Sequence, residues 1–186
     1  MIEQVFAFLQ KFYPLTDLVK AKLLSLLKTK TFKKKDYLLR ESQTSNHIYF
    51  IEKGLVRIYY TDDGTEICSG LLSEGGMALS VESFFNRVPG YEFIQALEET
   101  TVWYLTYDEL ESLYKDFIEF NVVGRKLITE HYVQSERRNY LLRKLKARDK
   151  YEWFKANLDD LLARVPRKDI ASYLGLTLET LSRLGY

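Results

Sequence analysis

Apolar positions in the first 27 residues recur at helical intervals. Val5, Phe6, Leu9 and Phe12 form one stripe, and Leu23, Leu24, Leu26 and Leu27 form another. Tyr13-Pro14 interrupts them and the period restarts after Thr16, so the spacing predicts two short helices. After Lys28 the texture changes to short β-branched and aromatic runs: Tyr37–Arg40, His47–Glu52, Leu55–Thr61, Glu66–Leu72, Phe93–Leu97 and Thr101–Leu105. Many short strands at close spacing predict a β-sandwich or roll. Asp62-Asp63-Gly64 between two of these runs predicts a tight hairpin, because Gly supplies the positive φ such a turn needs.

Beyond Thr106 the helical period returns. Leu110, Leu113 and Tyr114 define a short helix, and residues 119–145 contain no Pro and only Gly124 as a breaker. A helix of some 25 residues is ~38 Å long, more than one small roll needs as cover. Its apolar positions Phe120, Val123, Leu127, Tyr132, Leu141, Leu142 and Leu145 form a seam that fits a second copy of the chain, or else a face laid on its own domain. Helical spacing continues through Tyr151-Glu152-Trp153-Phe154, Leu158, Leu161 and Leu162 up to Val165-Pro166.

The last segment, from Pro166 to Leu184, places Ile170, Ala171, Leu174, Leu176, Leu181 and Leu184 so as to bury one side of two short helices. Ala171 is small enough for close approach, Gly175 ends the first helix and Thr177 caps the second. Thr177, Thr180 and Arg183 then point outward. That pattern predicts a helix-turn-helix whose second helix suits the major groove; the plainer reading is a helical hairpin that only packs a core.

Charge sharpens the contrast between the two ends. The 186 residues carry a formal net charge of +1. Residues 1–136 hold 15 Lys and Arg against 20 Asp and Glu, whereas residues 137–186 hold 12 against 6. A basic C-terminal unit fits approach to a polyanion, and also fits a solvated basic helix surface. The hydrophobic share of 46% supports a sizeable core. No apolar run is long enough for a membrane span and the Met1-Ile2-Glu3-Gln4 start does not read as a signal peptide, so a soluble cytoplasmic protein is expected.

Candidate chemistry is sparse. Cys68 is the sole cysteine, and His47 and His131 lie far apart in sequence, so neither a disulfide nor a metal or cofactor site is expected. There is no P-loop, no dinucleotide fingerprint and no nucleophile with a partnering base, which argues against an enzyme.

The run Ile-Ala-x-x-x-Gly-x-Thr-x-Glu-Thr-Leu-Ser-Arg, from Ile170 to Arg183, resembles the C-terminal module of the Crp/Fnr superfamily of bacterial transcription regulators. Ile51-Glu52-Lys53-Gly54-Leu55-Val56-Arg57-Ile58 is similar, more loosely, to a strand pair of the cyclic-nucleotide-binding roll. The resemblance implies an α+β fold: an N-terminal β-roll (a double-stranded β-helix) with flanking helices over residues 1–118, a long dimerisation helix over 119–146, and a helix-turn-helix domain over 147–186. It implies a homodimeric regulator of transcription that binds double-stranded DNA and needs no membrane. Glu179 and Arg183 match base-reading positions and Thr180 a phosphate-contacting hydroxyl; Leu178 stands where the family often has Arg. Arg167 and Lys168 suit phosphates better than bases. Leu184-Gly185-Tyr186 stops the recognition helix after about two turns, with no wing strands following.

The same resemblance puts an effector pocket around Gly76, Met77, Tyr91 and Phe93. Met77 stands where a ribose-binding Glu is expected, and Gly90-Tyr91 where a phosphate-binding Arg and its hydroxyl partner are expected. Without that cation a buried cyclic phosphate is unfavourable, so cyclic AMP is not expected to bind in the usual way; the roll either senses an unidentified small-molecule effector or has become structural. Arg87 reads as a solvated surface charge. Tyr49, Tyr59, Tyr60, Phe84, Phe85, Tyr91 and Phe93 either line a pocket or pack the roll. The competing function is a ligand- or protein-binding module that has lost efficient DNA binding.

Overall fold

The computed structural model describes residues 2–185; Met1 and Tyr186, the outer ends of the first and last expected domains, lie outside the described residues. Helices α1 (Glu3–Gln10) and α2 (Asp17–Leu26) open the chain, as their stripes predict, and the Thr16 hydroxyl accepts the Val19 amide hydrogen to cap α2. Eight strands follow: β1 (Lys28–Phe32), β2 (Tyr37–Leu39), β3 (His47–Lys53), β4 (Val56–Asp62), β5 (Thr65–Leu72), β6 (Met77–Ala78), β7 (Phe93–Ala96) and β8 (Thr100–Thr106). They form two antiparallel four-stranded sheets, β1-β8-β3-β6 and β2-β7-β4-β5. Phe32, Leu38, Ile51, Val56, Ile94, Ala96 and Val102 fill the space between them. The β4–β5 hairpin turns where expected, with Asp63 and Gly64 both at positive φ.

Three elements escaped the sequence reading. β1 alternates Lys and Thr and is exposed up to Phe32, so it carries no apolar alternation; pairing with β8 makes it a strand. β6 is only two residues long, and α3 (Val81–Asn86) is a short helix with a left-handed residue, Arg87, at its end.

Helix α4 (Tyr107–Asp116) begins in a reciprocal Thr106–Glu109 cap, and α5 (Ile118–Lys144) runs 27 residues, about 40 Å. Gly124 does not break α5; the Tyr114 ring lies over it, in the space a Cβ would need. Phe120 and Val123, expected in a seam between two copies, are instead buried in their own chain, in a core built from α1, α2, β3 and α4. The N-terminal helices reach this level of α5 and cover it. Leu127 packs at the edge of the same core, while Tyr132 stays open to solvent. Every residue from 128 to 137 is exposed, on all faces of the helix.

Helix α6 (Ala147–Leu162) kinks at Leu158 and leads into α7 (Arg167–Tyr173) and α8 (Leu178–Arg183). Their core contains Leu141 of α5, Phe154 and Leu161 of α6, and Ile170, Ala171, Leu174 and Leu181, and it extends onto Leu55, Cys68 and Leu71 of the roll.

Candidate nucleic-acid interface

The turn between α7 and α8 is fixed by backbone bonds. The Leu176 amide donates to the Ala171 carbonyl at 2.9 Å and the Gly175 amide to the Ser172 carbonyl at 3.0 Å, the two bonds of a Schellman stop. Gly175 holds φ +61, where a side chain is disfavoured, and the Thr177 hydroxyl then caps α8 by accepting the Thr180 amide hydrogen at 3.1 Å. Burial of Leu181 on the inner side turns Leu178, Glu179 and Arg183 outward. Glu179 and Arg183, one helical turn apart, form an ion pair, so these two exposed charges hold each other. Thr180 hydrogen-bonds Thr177.

The first helix is less free than the sequence suggests. Arg57 of β4, 6% exposed, donates to Asp169 at 2.8 Å, to Glu66 of β5 at 2.8 Å and to Gln95 of β7 at 2.8 Å. Asp169 is itself only 3% exposed. Lys168 reaches Glu66 at 3.1 Å, and the two cations together hold the Glu66 carboxyl below its ordinary range, the Arg57 hydrogen bond most strongly. Arg167 donates to Ser182 of α8. The Ser172 hydroxyl accepts the Cys68 amide hydrogen at 2.8 Å, and Arg138 of α5 donates to the Tyr173 carbonyl at 2.9 Å. Helix α7 is therefore seated on the outer face of the second sheet. Cys68 is buried in this joint, and burial pushes its thiol up to about 12, far from reactive.

A second clasp lies below. Arg164 binds Glu74 with both terminal nitrogens at 2.9 Å and Glu98 at 2.6 Å, while Glu74 also accepts the Gly54 amide hydrogen. The Arg164 guanidinium holds the Glu74 carboxyl down at about 2. An unfolded Glu titrates near 4.3, so this contribution is complete above that value and is lost as pH falls toward about 2. Denaturant unfolding of the parent across that acid range should therefore lose more stability than unfolding of Glu74→Gln.

The residues expected to line an effector pocket lie on two segments joined by the Ser80–Glu92 hydrogen bond, and their side chains have different surroundings. Met77 packs toward the N-terminal helices, and Phe93, in the other sheet, stacks on Tyr59 with ring centroids 4.9 Å apart. Tyr91 is exposed beside Tyr60, and Gly76 sits in the turn before β6. Arg87 is exposed, as expected, but it is also tethered: it donates to the Ser45 and Phe84 carbonyls and to Asn46, and lies over the Tyr107 ring. The sequence reading missed Glu92, which directly follows Gly90-Tyr91. Ser80 donates to it at 2.6 Å, and burial raises its carboxyl above the ordinary range. Among the described residues no cluster fit for a metal ion occurs, and no helix is long and apolar enough to cross a membrane.

A β-roll joined by a long helix to a capped helix-turn-helix is the two-part architecture of a regulator. Comparison with known proteins agrees. Residues 29–117 match the cyclic nucleotide-binding domain, and residues 164–184 match the bacterial regulatory proteins of the crp family. The two matched segments, in that order along the chain, support a regulator of the Crp/Fnr type. It is 25% identical over 167 residues to the anaerobic regulatory protein of Pasteurella multocida strain Pm70, covering 83% of this chain and 60% of that protein's length. It is likewise 25% identical to the regulatory protein HlyX of Actinobacillus pleuropneumoniae, over 83% of this chain and 69% of the relative. Among solved structures, FixK2 of Bradyrhizobium japonicum superposes with a TM-score of 0.73 at 24% identity, over 86% of this chain and 82% of that one.

Proposed function

We propose that the protein binds double-stranded DNA as a homodimer, placing one α8 in the major groove of each half of an inverted repeat. The observation that carries this reading is the capped α8 itself, which buries Leu181 and offers Leu178, Glu179 and Arg183 to solvent. Glu accepts from cytosine N4, Arg donates to guanine O6 and N7, and the Thr180 hydroxyl and Lys168 serve phosphates. The bare stretch of α5 supports the dimer, because it offers apolar side chains on which a second copy can pack. Ile128 is 53% exposed and Tyr132 63%, one turn apart, on a stretch that no other element of its own chain covers. Two recognition helices so arranged read half-sites ~34 Å apart.

The effector, in this reading, is a small molecule other than cyclic AMP. At the segment where a phosphate would need a cation, the roll supplies Gly90, Tyr91 and the carboxyl of Glu92. The test is selection of bound sequences from a random duplex pool at fixed salt, with and without cyclic AMP. An inverted repeat should be enriched equally in both arms. Arg183→Ala should relax preference at one base pair by about 10–100-fold, and Lys168→Ala should weaken all sequences alike. No enrichment, or enrichment of an isolated half-site only, refutes the dimeric reading.

A further inference from the structure

A carboxylate with no bonded cation stands where the roll meets α5. Glu92 is half-buried, and among the described residues it forms no ion pair. The groups that hold it are hydroxyls: Ser80 donates to it at 2.6 Å, and Ser69 of β5 stands within hydrogen-bonding reach. Burial raises its carboxyl above the ordinary range, and the Glu82 carboxylate of α3 adds to this; the two serines and His131 of α5 pull the other way.

The backbone around Glu92 is built for close approach. Strands β4 and β5 change register between Ile58 and Tyr59, whose partners are Gly70 and Cys68, so Ser69 is the unpaired residue of a bulge. A bulge re-aims a side chain, and here the re-aimed one is the serine beside Glu92. Gly90 lets its loop close on the start of α3: a Cβ there would lie 3.3 Å from the Ser80 Oγ and 3.0 Å from the Ser83 Cβ. On the solvent side, the Tyr60 and Tyr91 rings stand at 82° with centroids 5.9 Å apart, and Tyr91 is exposed. Partial burial raises the Tyr91 phenol, and Glu92, Glu82 and Tyr60 raise it further, which puts the ring pair and the two carboxyls in one neighbourhood.

We propose that this end of the roll binds a small organic ammonium, its charge on the Glu92 carboxylate and its carbon skeleton against the Tyr60 and Tyr91 rings. The inference rests on the reading, given above, that the roll takes a small molecule other than cyclic AMP, and it assigns that molecule a charge. An ammonium donates to carboxylate and hydroxyl oxygens, and the faces of perpendicular tyrosines attract a cation. An anionic ligand would meet Glu92 and Glu82 instead, and a neutral one would leave the half-buried Glu92 without a counter-charge.

Calorimetry on the full chain with benzylamine, benzyl alcohol, benzoate and cyclic AMP tests this. The first three probes share a ring and differ in charge. Benzylamine should bind at least about 10-fold more tightly than the alcohol or benzoate. Glu92→Gln, which keeps an acceptor for Ser80, should weaken benzylamine about 10–100-fold and bind amine and alcohol alike. Tyr91→Leu, at an exposed position, should weaken benzylamine about 3–30-fold. Both variants without ligand should melt with the parent; should Glu92→Gln melt lower, Tyr91→Leu decides alone. No binding of benzylamine, an alcohol or benzoate that binds as tightly, or an unchanged preference in the deciding variant overturns the inference. Binding of the alcohol or benzoate leaves the small-molecule reading standing, whereas tight cyclic AMP binding refutes that reading and this inference with it.

Discussion

Arg57→Ala is expected to cost about 3–5 kcal/mol of stability, because it strands a buried carboxylate. Among the described residues Asp169 pairs with no other cation, and its second carboxyl oxygen already lacks a hydrogen-bond partner. Glu66 keeps Lys168, so the loss concentrates on α7. The measurement is chemical denaturation of the parent, Arg57→Ala and the apolar pair Arg57→Met with Asp169→Leu. Removing both charges together should recover most of the lost stability, since an apolar pair has no desolvation to offset. An Arg57→Ala variant as stable as the parent would show that the ion pair does not hold α7 to the sheet.

A comparable effect is expected at Gly54, through sterics rather than charge. Its φ of +108 lies outside the range L side chains adopt readily, and a Cβ there would stand 2.6 Å from the Thr100 Cα and 2.7 Å from the Glu99 carbonyl oxygen. Both neighbours are backbone and cannot swing aside. Strain of ~1–3 kcal/mol from the dihedral and a similar or larger amount from overlap together put Gly54→Ala at about 4 kcal/mol or more. The Gly54 amide also donates to Glu74, the partner of Arg164, so displacement here should loosen the lower clasp as well. Thermal unfolding checks the first effect. Loss of the stability difference between Gly54→Ala and its Glu74→Gln double variant checks the second.

These two sites mark the boundary of what the chain's pattern reveals. Periodicity suffices for α1, α2, the β4–β5 hairpin, α5 and the two C-terminal helices, because each depends on spacing within its own segment. It fails at β1, whose Lys and Thr residues become a strand only through pairing with β8. Phe120 and Val123 show a subtler limit: an apolar face says that something covers it, not whether the cover is a second copy or the chain's own first helices. Strand order is a further limit: Met77 and Phe93 are 16 positions apart in sequence and belong to different sheets, which local alternation does not encode. Arg57 and Asp169, 112 positions apart, are farther still from any local signal. What the sequence did carry for the C-terminal module was chemistry tied to position: Gly175 at its left-handed stop, Thr177 at its cap and Leu181 at its inner face.

The core beneath α7 and α8 is not theirs alone. Leu55, Cys68 and Leu71 from the roll share it with Ile170, Leu174 and Leu181. A module cut out at residue 147 would therefore carry one wall of its interior into water, together with an orphaned Asp169. The two halves are separable by sequence family but not by thermodynamics, so they should melt in a single cooperative step. Any rearrangement of the roll that shifts β4 or β5 is then transmitted to α7 and α8 directly, through shared packing as well as along the connecting helix.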